Sequence, residues 1–206
     1  IDMPRIDMDL EHIKSLWADP KMEEGTTAGT IAVGRVLFLK KNMYTQIDGD
    51  APWFDWAKSE VPELCDFIDQ LPFKSMRQCA FVQPPGITPP HYDEPIYMTP
   101  HLIDSAPSQY RIRWSNVTKP DEEIFYMSKD SGATKVYPVL PEETNTYVYD
   151  GSVWEHGTDR GFTMDQRALI VMSGIIDVEK HHQLLERSIN KYKDYVLYDK
   201  ELSPLR

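Results

Sequence analysis

Between residues 77 and 174 the apolar residues come in short runs, rich in β-branched and aromatic side chains, each closed by proline, glycine or acidic turn residues. The runs are 77–83, 109–115, 134–139, 146–150 and 167–173. Runs of this length alternate too quickly for helices, and several short strands at such spacing predict a sandwich or barrel of the jelly-roll kind. Sixteen prolines among 206 residues press the same way, because proline lacks an amide hydrogen and is confined to turns, loops and strand edges. The segment 31–39 also reads as a strand, its residues suiting a half-buried pleated surface.

Helical spacing occurs outside that region. Leu10, Ile13 and Leu16 or Trp17 form one amphipathic stripe, and Val61, Leu64, Cys65 and Ile68 form another, with Ser59 as its expected cap. After Asp177 the stripe is Val178, Leu184, Leu185, Ile189 and Tyr192. The expectation is a single mainly-β domain over 1–206. Residues 1–76 supply helical and strand cover, 77–177 the β core, and 178–206 a C-terminal helix.

The net charge of −11 gives a surface that repels phosphate backbones and anionic headgroups, so neither nucleic acid nor membrane is an expected partner. No apolar stretch approaches the roughly 20 residues of a membrane span. Ile1-Asp2-Met3-Pro4-Arg5 has acids and a proline where a signal peptide would have a basic patch and an apolar run. Two cysteines, Cys65 and Cys79, are too few for a disulfide scaffold, and the expected location is the reducing cytoplasm.

One constellation points to chemistry. His91-Tyr92-Asp93 puts an imidazole and a carboxylate at i and i+2, which in extended backbone share a face. His156, in Trp154-Glu155-His156-Gly157, supplies a third donor 65 positions on. Two histidines and a carboxylate on one face are the metal ligands of non-haem Fe(II) oxygenases, with positions left open for a chelating cosubstrate and O2. Arg167 leads the apolar run Arg167-Ala168-Leu169-Ile170-Val171-Met172, where a charge is costly to bury unless it holds an anion. Arg111 and Arg113 share one strand face and could hold a second carboxylate, although a rim salt bridge suits Arg111 equally.

Residues 77–177 resemble the Fe(II)- and 2-oxoglutarate-dependent oxygenases, in particular the aspartyl/asparaginyl β-hydroxylase-like group that includes bacterial free-proline hydroxylases. The resemblance rests on Pro85-Gly86 followed by Pro90-His91, on Arg111-Ile112-Arg113, on Tyr149-Asp150-Gly151-Ser152 leading to His156, and on Arg167-Ala168-Leu169-Ile170-Val171. It covers about half of the chain. It implies a double-stranded β-helix with flanking α-helices, His91, Asp93 and His156 as ligands of Fe(II), Arg167 on the distal carboxylate of 2-oxoglutarate and Arg113 at its C1 end. The implied reaction is hydroxylation of an unactivated C–H bond of an amino acid, peptidyl residue or small polar metabolite, with release of succinate and CO2. The retained acid Asp93 places the chain nearer the bacterial amino-acid hydroxylases, and 94–108 reads as an inserted lid.

Two other classes fit the same residues. One is a cupin-like isomerase or hydrolase, in which zinc at the three ligands activates water. The other is a non-catalytic small-ligand binding module. Of the remaining residues, His101, His181 and His182 lack matching partners, and the last two are expected in solvent. Arg160 reads as a turn residue, and Trp53, Phe54 and Trp56 read as core. Tyr92, Tyr97 and Trp114 are placed near the metal by sequence alone, and Gln83 near the cosubstrate.

Overall fold

A computed structural model describes residues 1–17, 27–30, 34–41, 51–83, 87–92, 109–115, 125–128, 130–149, 151, 154–159 and 167–197. Within these, helices α1 (Leu10–Leu16), α2 (Asp55–Glu60), α3 (Pro62–Ile68) and α4 (Val178–Lys191) flank eight strands. The strands are β1 (Thr27–Thr30), β2 (Gly34–Phe38), β3 (Phe73–Gln83), β4 (Gln109–Ser115), β5 (Phe125–Ser128), β6 (Thr146–Tyr149), β7 (Glu155–Thr158) and β8 (Arg167–Ile176). Six of them form an open sheet in the order β1-β2-β3-β8-β4-β6, and β5 pairs with β7 in a second, smaller sheet. Every pairing among the described strands is antiparallel.

Strand β8 lies between β3 and β4, and nine of its ten residues are buried, as a strand covered on both faces requires. Residues opposite one another across an antiparallel pair share a face. Tyr110, Ile112 and Trp114 of β4 therefore face the same way as Met172, Ile170 and Ala168 of β8 and Cys79 and Phe81 of β3. This face packs on Leu10, Ile13 and Leu16 of α1 and Leu64, Cys65 and Ile68 of α3 in the main core. Both cysteines are free and buried there. The other face carries a smaller cluster of Val82, Leu169 and Val171, against which Tyr147 packs.

Local chemistry sets the helix ends. The Asp9 carboxylate accepts from the Glu11 amide, and the Asp177 carboxylate accepts from the Lys180 amide at the head of α4. Ser59 is not the cap expected for the second stripe. It lies inside α2, the helix is interrupted at Val61, and Pro62 starts α3 at a position where its missing N–H costs nothing.

Other expectations are corrected. The run 134–139 contributes one bridge, Val136 to Met127, rather than a strand, while β5 and β7, not read from the sequence, form the second sheet. His181 is buried, and the Tyr110 hydroxyl bonds its Nδ1 at 2.6 Å, whereas His182 is exposed. On α4, Leu184 is buried and Tyr192 beyond its end is too, but Val178 and Ile189 are exposed. Trp114 lies in the main core, donating from Nε1 to the Ile6 carbonyl at 2.7 Å, and so faces away from the histidines. Phe54 is buried, and Trp53 and Trp56 pack against the core. Residues 31–33, Tyr97, His101, Asp150, Arg160 and the 94–108 segment lie outside the described residues, as does the Gln83 side chain. Among the described residues no helix is long and apolar enough to cross a membrane.

Candidate metal and anion site

The strand β7 is pinned on both sides. On one side Met127 of β5 pairs with His156, and on the other His91 forms an antiparallel bridge with it. The His91 amide donates to the His156 carbonyl at 3.0 Å, and the His156 amide returns a bond to the His91 carbonyl at 2.9 Å. Thr158 extends the pairing, its amide donating to the Thr88 carbonyl at 2.9 Å and its hydroxyl accepting from the Thr88 amide at 2.8 Å. Two residues distant in sequence thus occupy facing positions of one ladder, with imidazole centroids 4.4 Å apart.

Their outer nitrogens are held alike. His91 Nδ1 lies 2.9 Å from the Pro89 carbonyl, and His156 Nδ1 lies 3.0 Å from the Trp154 carbonyl, each two residues back in the chain. A carbonyl only accepts, so Nδ1 carries the hydrogen and Nε2 is the lone-pair nitrogen of each neutral ring. Metal-ligating histidines are oriented by this kind of bond from the remote ring nitrogen. Among the described residues no three His, Cys, Asp or Glu side chains gather at one point, and Asp93, the expected third ligand, lies outside them.

Gly157 makes this pairing possible. A Cβ there would come within 2.6 Å of the Tyr126 hydroxyl and 2.7 Å of the Thr88 carbonyl, so only glycine lets β7 lie this close to residues 87–92. Phe125 and Tyr149 close the other side of His156, with centroids 5.8 and 5.1 Å from its ring. His156 itself is 2% exposed.

The large sheet turns its basic face toward this ladder. Arg111 stands opposite Tyr147 and Val171, Arg113 opposite Leu169, and Arg167 opposite Ser115, which puts the three arginines and the two tyrosines of β6 on one side. Arg111 lies over the Tyr149 ring at 4.7 Å and the Phe125 ring at 5.8 Å, linking that face to the His156 surroundings. Arg167 is only 3% exposed. Burial pulls its pKa down to about 10, with further lowering by the charges of Arg113 and Arg111, while Tyr147 works the other way. Burial also lowers Arg113, again opposed by Tyr147. In a chain of net charge −11, this is a local concentration of positive charge in a low-dielectric setting, suited to an anion with two acidic ends.

Sequence reading singled out His91, His156, Arg111, Arg113 and Arg167, and the structure brings the histidines together and, separately, the arginines onto one face. It missed Tyr147, Tyr149, Phe125 and Gly157. The alternation Tyr147-Val148-Tyr149 was a usable signal, since it sets both phenols on one face of a strand.

No protein-family model and no curated protein sequence matches the chain. Among solved structures it is similar to EvdMO1, at 16% identity and a TM-score of 0.40, over 84% of this chain and 46% of that one. The chain thus spans less than half the length of that protein.

Proposed function

We propose that this chain is an Fe(II)- and 2-oxoglutarate-dependent dioxygenase that hydroxylates an unactivated C–H bond. The observation that supports this reading most is the matched pair His91 and His156, each with Nδ1 tied to a carbonyl and the rings side by side, set against a face with buried Arg167 and half-buried Arg111 and Arg113. The two facing sheets are read as the halves of a double-stranded β-helix, and Asp93 as the third ligand.

The residues fit the group they would hold. Two imidazole Nε2 donors and a carboxylate suit Fe(II) and leave room for a bidentate 2-oxo acid. Bound iron would supply the activation of O2 that couples decarboxylation of 2-oxoglutarate to C–H oxidation. The protein's own part is positioning. The Pro89 and Trp154 carbonyls fix the tautomer and the ring planes of the two histidines. Arg167 takes the distal carboxylate and Arg113 the C1 end, Arg167 already desolvated by its burial in the folded protein and Arg113 partly so. Val82, Leu169 and Val171 beside them keep that face dry. The partner is a small molecule or peptidyl residue rather than nucleic acid or a membrane surface.

The arginine face favours this over a hydrolytic zinc site, which has no need of a dicarboxylate clamp. The test is succinate formation from 2-oxoglutarate with Fe(II) and ascorbate, scanning candidate substrates for stimulation. His91→Ala and His156→Ala should each abolish it. Full turnover in either variant removes the ligand assignment, and metal-dependent hydrolysis without 2-oxoglutarate would replace the reading with the zinc one.

A further inference from the structure

A cavity of about 260 Å³ opens along β6, the edge strand of the large sheet. Phe125, Tyr147, Tyr149 and Trp154 line one side, and Leu185 and Ile189 of α4 line the other. Among the described residues no acidic, basic or imidazole side chain contributes to its lining, and Ile1, which also lines it, has its amino group donating to the Thr146 carbonyl at 2.7 Å. An apolar cavity of about 150 Å³ already accommodates benzene, so this one has room for one or two rings, just below the usual range of small-molecule sites.

Its inner wall is shared with the candidate site. Tyr149 and Phe125 are the rings packed on His156, and Trp154 provides the carbonyl that holds His156 Nδ1. Tyr147 and Tyr149 stack at 6.2 Å with their planes 11° apart. One acts on Arg167 and Arg113, and the other lies under Arg111. The same stacked pair therefore borders a cationic compartment and one whose described lining has no charged side chain. A dianionic cosubstrate has its partners on the arginine side, and burying a charge in the cavity would be costly.

We infer that the cavity binds an uncharged molecule with one or two apolar or aromatic rings, and, on the reading of the preceding section, that this is the body of the substrate. The sequence led instead to an amino acid, a peptidyl residue or a small polar metabolite. The cavity moves the proposal toward a neutral ring compound, with recognition by ring stacking and apolar contact rather than by ion pairs.

The test is isothermal titration of the full chain with indole, and with indole-3-acetate as the charged counterpart bearing the same rings. Saturable one-site binding of indole is expected, with indole-3-acetate weaker by at least about tenfold. Ile189→Trp and Val139→Trp place a ring in the cavity from two different walls, at side chains that are 40% and 63% exposed and so tolerant of change. Each should weaken indole by about tenfold or more with an unchanged circular dichroism spectrum. No saturable binding, or both variants binding like the parent, overturns the cavity site. Equal binding of indole-3-acetate overturns its preference for neutral ligands. If indole binds as expected but neither alters the Fe(II)/2-oxoglutarate absorption band nor stimulates succinate release, the substrate assignment fails and the cavity remains. Loss of that band with indole binding intact overturns the oxygenase reading alone.

Discussion

Gly157→Ala tests whether close approach of β7 to residues 87–92 is what sets His91 beside His156. The added Cβ would meet the Thr88 carbonyl at 2.7 Å, and ordinary contact begins near 3.4 Å, so that carbonyl must retreat by about 0.7 Å. Applied to the 2.9 Å bond from the Thr158 amide, such a retreat stretches it to about 3.6 Å, beyond hydrogen-bond range. Tyr126, whose hydroxyl would sit 2.6 Å from the new methyl, is held by Tyr137 edge-on and by Lys135 over its ring. Overpacking of about 1–3 kcal/mol plus one lost hydrogen bond of about 1 kcal/mol gives a destabilisation of about 2–4 kcal/mol. For a chain of this size that lowers Tm by about 5–15 °C. Thermal unfolding followed by circular dichroism measures the cost, and Co(II) titration followed by its visible bands measures whether the histidine pair still binds metal. A melting temperature within about 1 °C of the parent, together with unchanged Co(II) affinity, refutes the reasoning.

Further outcomes follow from the same geometry. Arg167→Lys keeps the charge but loses the planar fork, and 2-oxoglutarate binding to the Fe(II) protein should weaken by about ten- to hundredfold, the equivalent of about 1.5–3 kcal/mol; calorimetric affinity equal to the parent's removes Arg167 from the site. His181 has its pKa lowered by burial first and by His182 second. Its contribution is therefore complete above the ordinary value of 6.5 and is lost as pH falls through that value toward the folded one. Urea unfolding should show stability declining over that window, and His181→Gln should flatten the decline; an unaltered pH profile in the variant would exclude the group. Tyr110→Phe removes the 2.6 Å bond to the buried imidazole and should cost about 1–3 kcal/mol in the same assay, an unchanged midpoint being the contrary result.

Elements whose own periodicity matches their burial were legible from the residues. β4 spans 109–115 as expected, and β8 starts at Arg167 but runs on to Ile176, because Gly174 and the two isoleucines still pair with β3. α1 follows its apolar stripe, whereas within α4 only Leu184 of the expected stripe is buried, Leu185 being half-buried and Val178 and Ile189 exposed. β5 and β7 were not legible. Glu155-His156-Gly157-Thr158 has no apolar alternation, and it is a strand because β5 and residues 87–92 flank it and satisfy its backbone. His181 was misplaced because a histidine at a helix start gives no hint of a partner 71 positions away. For the site, residue type and spacing marked the two histidines and the three arginines. Their facing arrangement depends on register and on the aromatic wall between sheets, which no spacing argument resolves.

The most direct test of the central claim is an anaerobic one. Apoprotein is loaded with Fe(II), 2-oxoglutarate is added, and the visible band of the iron complex with the 2-oxo acid is recorded for the parent, His156→Ala and Arg167→Ala. A band is expected in the parent, none in His156→Ala, and one in Arg167→Ala that needs about tenfold or more additional 2-oxoglutarate to saturate. Stoichiometric iron with no band in the parent, or an undiminished band in His156→Ala, would contradict the claim.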